Sequence, residues 1–328
     1  MSFALIIAFI QQSIRLSSTL LLGSTGEILT EKSGNLNLGT PGIMASGAIS
    51  GIIGAYFYTK SSLPFNPLIS VLITMLCCIV GALLVSLIYC FLTITLKTNQ
   101  NVTGLALTTF GVGMSNFVGS LINSQMGGTG IAAFPEIGKA YRAALPFADK
   151  LGAFGEIFFS YGFMTYLAIA IAVVTGVIIT KTRIGLNLRA VGENPATADA
   201  AGINVGRYKY FATCIGGIIS GLGGLCYVMD FAAANWQNNI LDQFGWLAVA
   251  LVIFAVWKPN MAIIGSIIFG ALYVVGSFLP SLTTKDQKLL EILPYVVTIV
   301  VLVIISMRNK KENQPPESLG MSYFREER

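Results

Sequence analysis

Residues 160–209 read SYGFMTYLAIAIAVVTGVIITKTRIGLNLRAVGENPATADAAGINVGRYK. Up to Thr180 the stretch carries no charge, and from Lys181 onward it is polar, with Arg183, Arg189, Glu193, Asp199, Arg207 and Lys209. About 20 mostly apolar residues are what a helix needs to cross the hydrocarbon of a bilayer. Residues 160–180 are therefore expected to span a membrane, and 181–208 to lie in water before a second apolar run begins at 209.

The same alternation runs through the chain. Candidate spans are 3–23, 39–58, 66–96, 102–122, 160–180, 209–229, 243–257, 260–278 and 290–307, the third long enough to tilt and the seventh short. The expected fold is an all-α polytopic membrane protein with about nine transmembrane helices. Composition agrees: 54% of residues are hydrophobic and 11% charged, against roughly 25% charged in a soluble domain, and mean hydropathy is +0.74. The connections are too short for a second domain, so residues 1–307 are read as one membrane domain. The opening MSFALIIAFIQQ lacks the basic region and small-residue cleavage site of a signal peptide and is expected to remain as the first helix. The last stretch, RNKKENQPPESLGMSYFREER (308–328), is charged and proline-bearing and reads as a disordered cytoplasmic tail.

Lysine and arginine placement sets the expected orientation. With the N-terminus outside and the C-terminus cytoplasmic, thirteen basic residues fall on the inner side and six on the outer, with Arg15 inside a helix. That assignment puts 181–208 in the cytoplasm. The net charge of +5 is explained by this bias. No basic stripe interleaved with aromatics points to nucleic acid. Cys77, Cys78, Cys90, Cys214 and Cys226 all lie in apolar runs and the chain has no histidine, so no metal site is expected.

The polar segment is carefully punctuated. Asn194 suits a helix N-cap, Pro195 the first helical position and Gly202 the position past the end. They bracket ATADAA, a helix of about seven residues, which is too short to stand alone in water, where roughly 12–15 are needed. A second amphipathic piece, LNLRAV (186–191), precedes it. One reading is an ordinary interfacial loop, the other a helix presented to a cytoplasmic partner.

GENPATADAAGINVGRYK (192–209) resembles the cytoplasmic motif of ABC-importer permeases of the simple-sugar and nucleoside branch. GEILTEKSGNLNLGTPGIMASGA (26–48) resembles the N-terminal signature of that branch, and 207–230 with 245–273 match in the same order. One departure is Pro41, where many relatives carry an acid. The resemblance implies that Glu193, Asn194, Pro195, Asp199, Ala200, Ala201 and Gly202 form a coupling element that inserts into a groove on an ATPase. It also implies a second homologous permease subunit, an extracytoplasmic solute-binding protein or lipoprotein, and a bacterial cytoplasmic membrane. The chain contains no GxxxxGK[ST] motif, so ATP and magnesium are expected on the partner, with no cofactor and no catalytic residue here. Nor do GLGG (221–224) or GGTG (127–130) follow a strand in a dinucleotide-binding unit.

Candidates for the translocation path come from polar residues inside or beside spans. Thr109, Asn116 and Ser120 share one face of the fourth span with Gly113 and Asn123. Asn37 and Gly39 lie in EKSGNLNLGTPG (31–42), either a re-entrant element beside the path or a plain cytoplasmic turn. Gln11, Arg15, Ser18 and Thr19 share a face of the first helix, and an exposed Trp236-Gln237-Asn238 is expected to meet a delivery protein or anchor at the interface. Small-residue seams at Gly47/Gly51, Gly217/Gly221 and Gly216/Ser220/Gly224 mark close helix packing, within the chain or against another subunit. Nucleosides are the solute the resemblance favours, monosaccharides such as ribose the alternative, branched-chain amino acids a more distant one. An ion-coupled secondary transporter is the rival class, disfavoured because acidic residues fall mostly in loops or near span ends.

Overall fold

A computed structural model describes residues 3–62, 64–126, 132–146, 150, 152–279, 283–308 and 314–325. The GGTG at 127–130, Lys310, Lys311 and residues 326–328 lie outside the described residues. The described chain is helical: α1 (Phe3–Glu31), α2 (Thr40–Lys60), α3 (Pro67–Cys90), α4 (Gln100–Gln125), α5 (Pro135–Tyr141), α6 (Gly152–Phe158) and α7 (Phe163–Lys181) form its first half. The second half comprises α8 (Arg183–Glu193), α9 (Pro195–Ala200), α10 (Val205–Cys226), α11 (Ile240–Phe254), α12 (Pro259–Val274), α13 (Thr284–Leu290) and α14 (Leu293–Arg308). Among the described residues, eight helices are long and apolar enough to cross a membrane, and the fifteen-residue α11 stands where the short seventh span was expected.

Three helices form the interior. Of the most apolar windows, 78% of that on α10 and 72% of that on α2 is buried, against 28% on α3 and 11% on the span ending in α14. Leu16, Leu20, Leu22 and Ile28 of α1 are fully enclosed. Lipid-facing apolar side chains such as Leu68 and Leu72 of α3 and Ile299 of α14 stay exposed. This is the inverse of a soluble protein, as expected where the surrounding solvent is hydrocarbon.

Glycine lets α10 sit between α1 and α2. A Cβ at Gly216 would lie 2.4 Å from Gly26 O on α1, and one at Gly224 would lie 2.1 Å from Met44 O on α2. Gly47 faces Gly221, where an added Cβ would come within 2.8 Å of backbone. The seams therefore close within this one chain. Backbones approach this closely only when no side chain intervenes.

Packing explains three of the four polar residues on the polar face of α1, while Thr19 Oγ1 is buried without a hydrogen-bond partner among the described residues. Gln11 Nε2 donates to Glu156 O (2.9 Å), Arg15 Nη2 to Ser160 O (3.4 Å) and Ser18 Oγ to Thr165 Oγ1 (3.2 Å). These bonds fasten α1 to α6 and the start of α7.

The tail departs from its expected disorder. Ser318 N and Oγ both donate to Gly192 O (3.1 and 2.5 Å), and Gly320 N donates to Gly34 O (3.2 Å). Pro316 and Ser318 are buried. Composition alone suggested a solvated end, but a polar chain orders when its backbone finds partners on a surface already built.

Candidate coupling element and solute path

Every joint in residues 181–208 is capped by the residue next to it. Thr182 Oγ1 accepts from Gly185 N (3.1 Å) to start α8, Asn194 Oδ1 from Thr197 N (2.9 Å) to start α9, and Asn204 Oδ1 from Arg207 N (3.0 Å) to start α10. At the end of α9, Gly202 N donates to Asp199 O and Ile203 N to Ala198 O, both at 3.0 Å, with Gly202 at φ +83°. This paired pattern closes a helix through a left-handed residue, which glycine adopts without a Cβ penalty.

Six residues of helix need support, and it comes from a small apolar cluster. Val191, Ala198 and Val205 are buried together, with Ile203, Tyr208 and Tyr323 packed around them. Gly192 presses on the α1–α2 turn, where an added Cβ would lie 2.3 Å from Lys32 O. Burial there pulls the Lys32 ammonium below the usual lysine range, with the Glu193 carboxylate the largest influence opposing it.

The nominated coupling residues divide by exposure. Glu193, Asn194, Ala200, Ala201 and Gly202 are exposed and Pro195 half-buried, so the outer side of α9 offers a small, nearly featureless ridge. Asp199 turns the other way. Its Oδ2 accepts from Tyr323 OH (2.9 Å) and faces Arg325 Nε at 3.2 Å, which ties α9 to the tail. Tyr323 and Arg325 were not foreseen, because nothing in their local sequence points to a helix more than a hundred residues away.

The path candidates also divide. Asn116 Nδ2 donates to Asn239 Oδ1 (2.6 Å), Asn239 N donates back to Asn116 Oδ1 (3.0 Å), and Asn238 Nδ2 reaches Ser120 Oγ (3.4 Å). A cavity of about 270 Å³ lies here, lined by Gly119, Ser120, Asn123, Trp236, Gln237 and Asn238. Thr109 is exposed and shares the stripe, and at Gly113 an added Cβ would meet nothing within 4 Å. Asn37 and Gly39 are elsewhere. Both are buried in the turn before α2, where Asn37 Oδ1 accepts from Gly39 N (3.0 Å).

Trp236, expected to be exposed, is only 6% so. Its indole lies against Gly119, where a Cβ would fall 2.1 Å from Nε1, and Nε1 donates to Asn238 Oδ1 (2.9 Å). Gln237 and Asn238 do remain exposed. Asn239 was missed as well. Its φ of 63° fits asparagine's tolerance of the left-handed region.

Buried acids form a third group that composition concealed. Glu27 and Glu31 lie one turn apart on α1, 1% and 3% exposed. Glu27 accepts from Asn37 N (3.2 Å) and Thr40 Oγ1 (2.5 Å), and Glu31 from the indole of Trp257. Their hydrogen bonds fold the 31–40 turn against the bundle. That is a structural task which spacing alone did not disclose.

Known proteins resemble this sequence across nearly the whole chain. A family model described as "Branched-chain amino acid transport system / permease component" matches residues 9–305. The guanosine ABC transporter permease protein NupQ of Bacillus subtilis is 31% identical over 95% of this chain and 95% of its own length. The nucleoside ABC transporter permease protein NupC of Lactococcus lactis subsp. cremoris is 30% identical, covering 88% and 89%. The "Putative glucose ABC transporter permease protein TsgC13" of Haloferax volcanii is 30% identical over 99% of this chain and 99% of its own length. With its bundle of membrane-length helices and a match over residues 9–305, the chain belongs to this family of transport-system permease components, in the simple-sugar and nucleoside branch.

Proposed function

We propose that this chain is the membrane-spanning half of an ATP-driven nucleoside importer in a bacterial cytoplasmic membrane, with its N-terminus outside and the 181–208 segment in the cytoplasm. The observation that carries the reading is the near full-length similarity to two permeases named for guanosine and nucleosides. The amide-lined cavity at Ser120 and Asn238 supports it, since nucleobases and riboses are recognised by neutral donors and acceptors. In this reading a partner ATPase holds ATP and magnesium and grips the exposed side of α9. A second permease completes the path along the Thr109–Asn116–Ser120 face, and an external binding protein delivers the solute. Residues 1–307 are the transport domain.

A monosaccharide is the second reading, favoured by the relatives named for glucose, one of them 30% identical over 99% of this chain. The two separate in one assay. The chain is co-purified with its partner subunits, reconstituted into vesicles and given labelled guanosine or glucose. ATP-dependent guanosine uptake that survives ionophores is expected. Uptake of glucose but not guanosine selects the alternative, and uptake that collapses with the ion gradient overturns both.

A further inference from the structure

Behind the tail lies a cavity of about 200 Å³, walled by the first two turns of α10, the residues that follow α3, and Ser322–Arg325. Lys97, Lys209 and Arg325 line it, and its described lining contains no carboxylate. Lys209 is the decisive residue. It is only 3% exposed, and its ammonium has no hydrogen-bond or ion-pair partner among the described residues. The side chain is buried but its Nζ is not sealed from solvent, so the ammonium is presented to the cavity without a counter-charge from the described residues.

Two further cations line the same cavity. Lys97 adopts φ 56°, a left-handed conformation that costs a non-glycine residue roughly 1–2 kcal/mol, and its Nζ stands 4.3 Å from the Phe324 ring centroid on the tail. Arg325 is already paired with Asp199 at 3.2 Å, which leaves the positive charges of Lys97 and Lys209 in excess. Asn35 adds an acceptor: its Oδ1 is buried there without a donor. A singly protonated phosphate or phosphomonoester offers negative oxygens to the lysines and a P–OH to that acceptor, and a phosphatidylglycerol headgroup offers the same through its phosphodiester oxygens and a glycerol hydroxyl.

We propose that this cavity binds a phosphate-bearing anion, held by Lys209 and Lys97, as either a free phosphate compound or the headgroup of an anionic phospholipid. The space is smaller than the roughly 300–1,000 Å³ of sites that enclose a drug-sized ligand, so it takes the phosphate and its nearest atoms only. Tyr323 and Arg325 wall the cavity and also hold Asp199. A bound phosphate therefore tightens the tail against α9.

The test uses the transporter co-purified with its partner subunits, in nanodiscs containing phosphatidylcholine and phosphatidylglycerol. Retention of labelled inorganic phosphate is measured at equilibrium, and retained phosphatidylglycerol by native mass spectrometry. Lys209→Met is compared with Lys209→Arg and wild type, so that phosphate held by another subunit cancels. On the order of a tenfold loss of one probe in Lys209→Met, with recovery in Lys209→Arg, is expected from losing one charge-assisted contact. Loss of phosphate identifies a soluble ligand, and loss of phosphatidylglycerol identifies a lipid. Should Lys209→Met fail to accumulate, Lys97→Met at the exposed rim carries the same comparison. Equal retention of both probes in the variants and wild type overturns the proposal. The proposal does not depend on which solute is carried, and solute-stimulated ATP hydrolysis by the same preparation reports on the transporter reading separately.

Discussion

The proposed coupling end and the proposed solute end of this molecule are built by opposite rules. At the α8–α9 end each helix is started by its own neighbour: Thr182, Asn194 and Asn204 each cap a backbone N–H three residues on. At the Asn116–Asn239 end the bonds join residues about 120 positions apart. A local rule makes a rigid element with a fixed shape, suited to being pushed. A long-range rule makes a surface that exists only when two segments meet, suited to opening and closing around a solute.

Four substitutions probe that contrast, and the largest effect is expected at the proposed coupling end. Ala200→Glu places a long charged side chain on the exposed ridge of α9 and leaves the bundle untouched. Solute-stimulated ATP hydrolysis of the reconstituted complex should fall about tenfold or more, each decade being about 1.4 kcal/mol of docking. Wild-type stimulation in that variant would remove α9 from the coupling role. Asn116→Ala breaks both bonds to Asn239. At about 0.5 kcal/mol for each net hydrogen bond, about 1 kcal/mol for the two, the half-saturating solute concentration for uptake should rise roughly fivefold, with ATP hydrolysis in the absence of solute unchanged. An unchanged uptake curve would mean that the Asn116 face does not line the path.

Asn194→Ala tests local construction itself. Loss of the cap should cost about 1 kcal/mol, read as faster amide exchange over 195–202 while α10 keeps its protection. If protection falls equally in both helices, α9 is not a separately built element. Tyr323→Phe is expected to be the mildest. It removes one hydrogen bond to Asp199, worth about 0.5–1.5 kcal/mol, and should raise protease cleavage within 314–325 a few-fold. Cleavage at the wild-type rate would show that the bond contributes nothing to seating the tail.

What the sequence disclosed follows the same division. Helix number, the caps at Asn194 and Gly202 and the glycine seams were readable, because apolar length, N-cap chemistry and left-handed turns are properties of adjacent residues. Asn116 and Ser120 were found by their helical spacing, while their partners Asn238 and Asn239 required the fold. Trp236 looked exposed because it sits in a polar connection, and only the absence of a side chain at Gly119 explains its burial. The tail was misread for a related reason. Composition reports what a segment cannot bury, but the partners of Ser318, Gly320 and Tyr323 are backbone groups and one carboxylate on other elements.

The glycine-lined fit of α10 between α1 and α2 has a mechanical consequence. Where backbone touches backbone, no flexible side chain remains to absorb slip, so the three helices are obliged to travel together. The helical run that begins just past α9 extends over the 27 residues Val205–Phe231, about 40 Å at 1.5 Å per residue. A small tilt imposed at its capped end becomes a larger sweep at the far end, where Asp230 and the 235–239 connection lie. Under the proposed coupling role, the keel that stabilises the protein is also its lever arm.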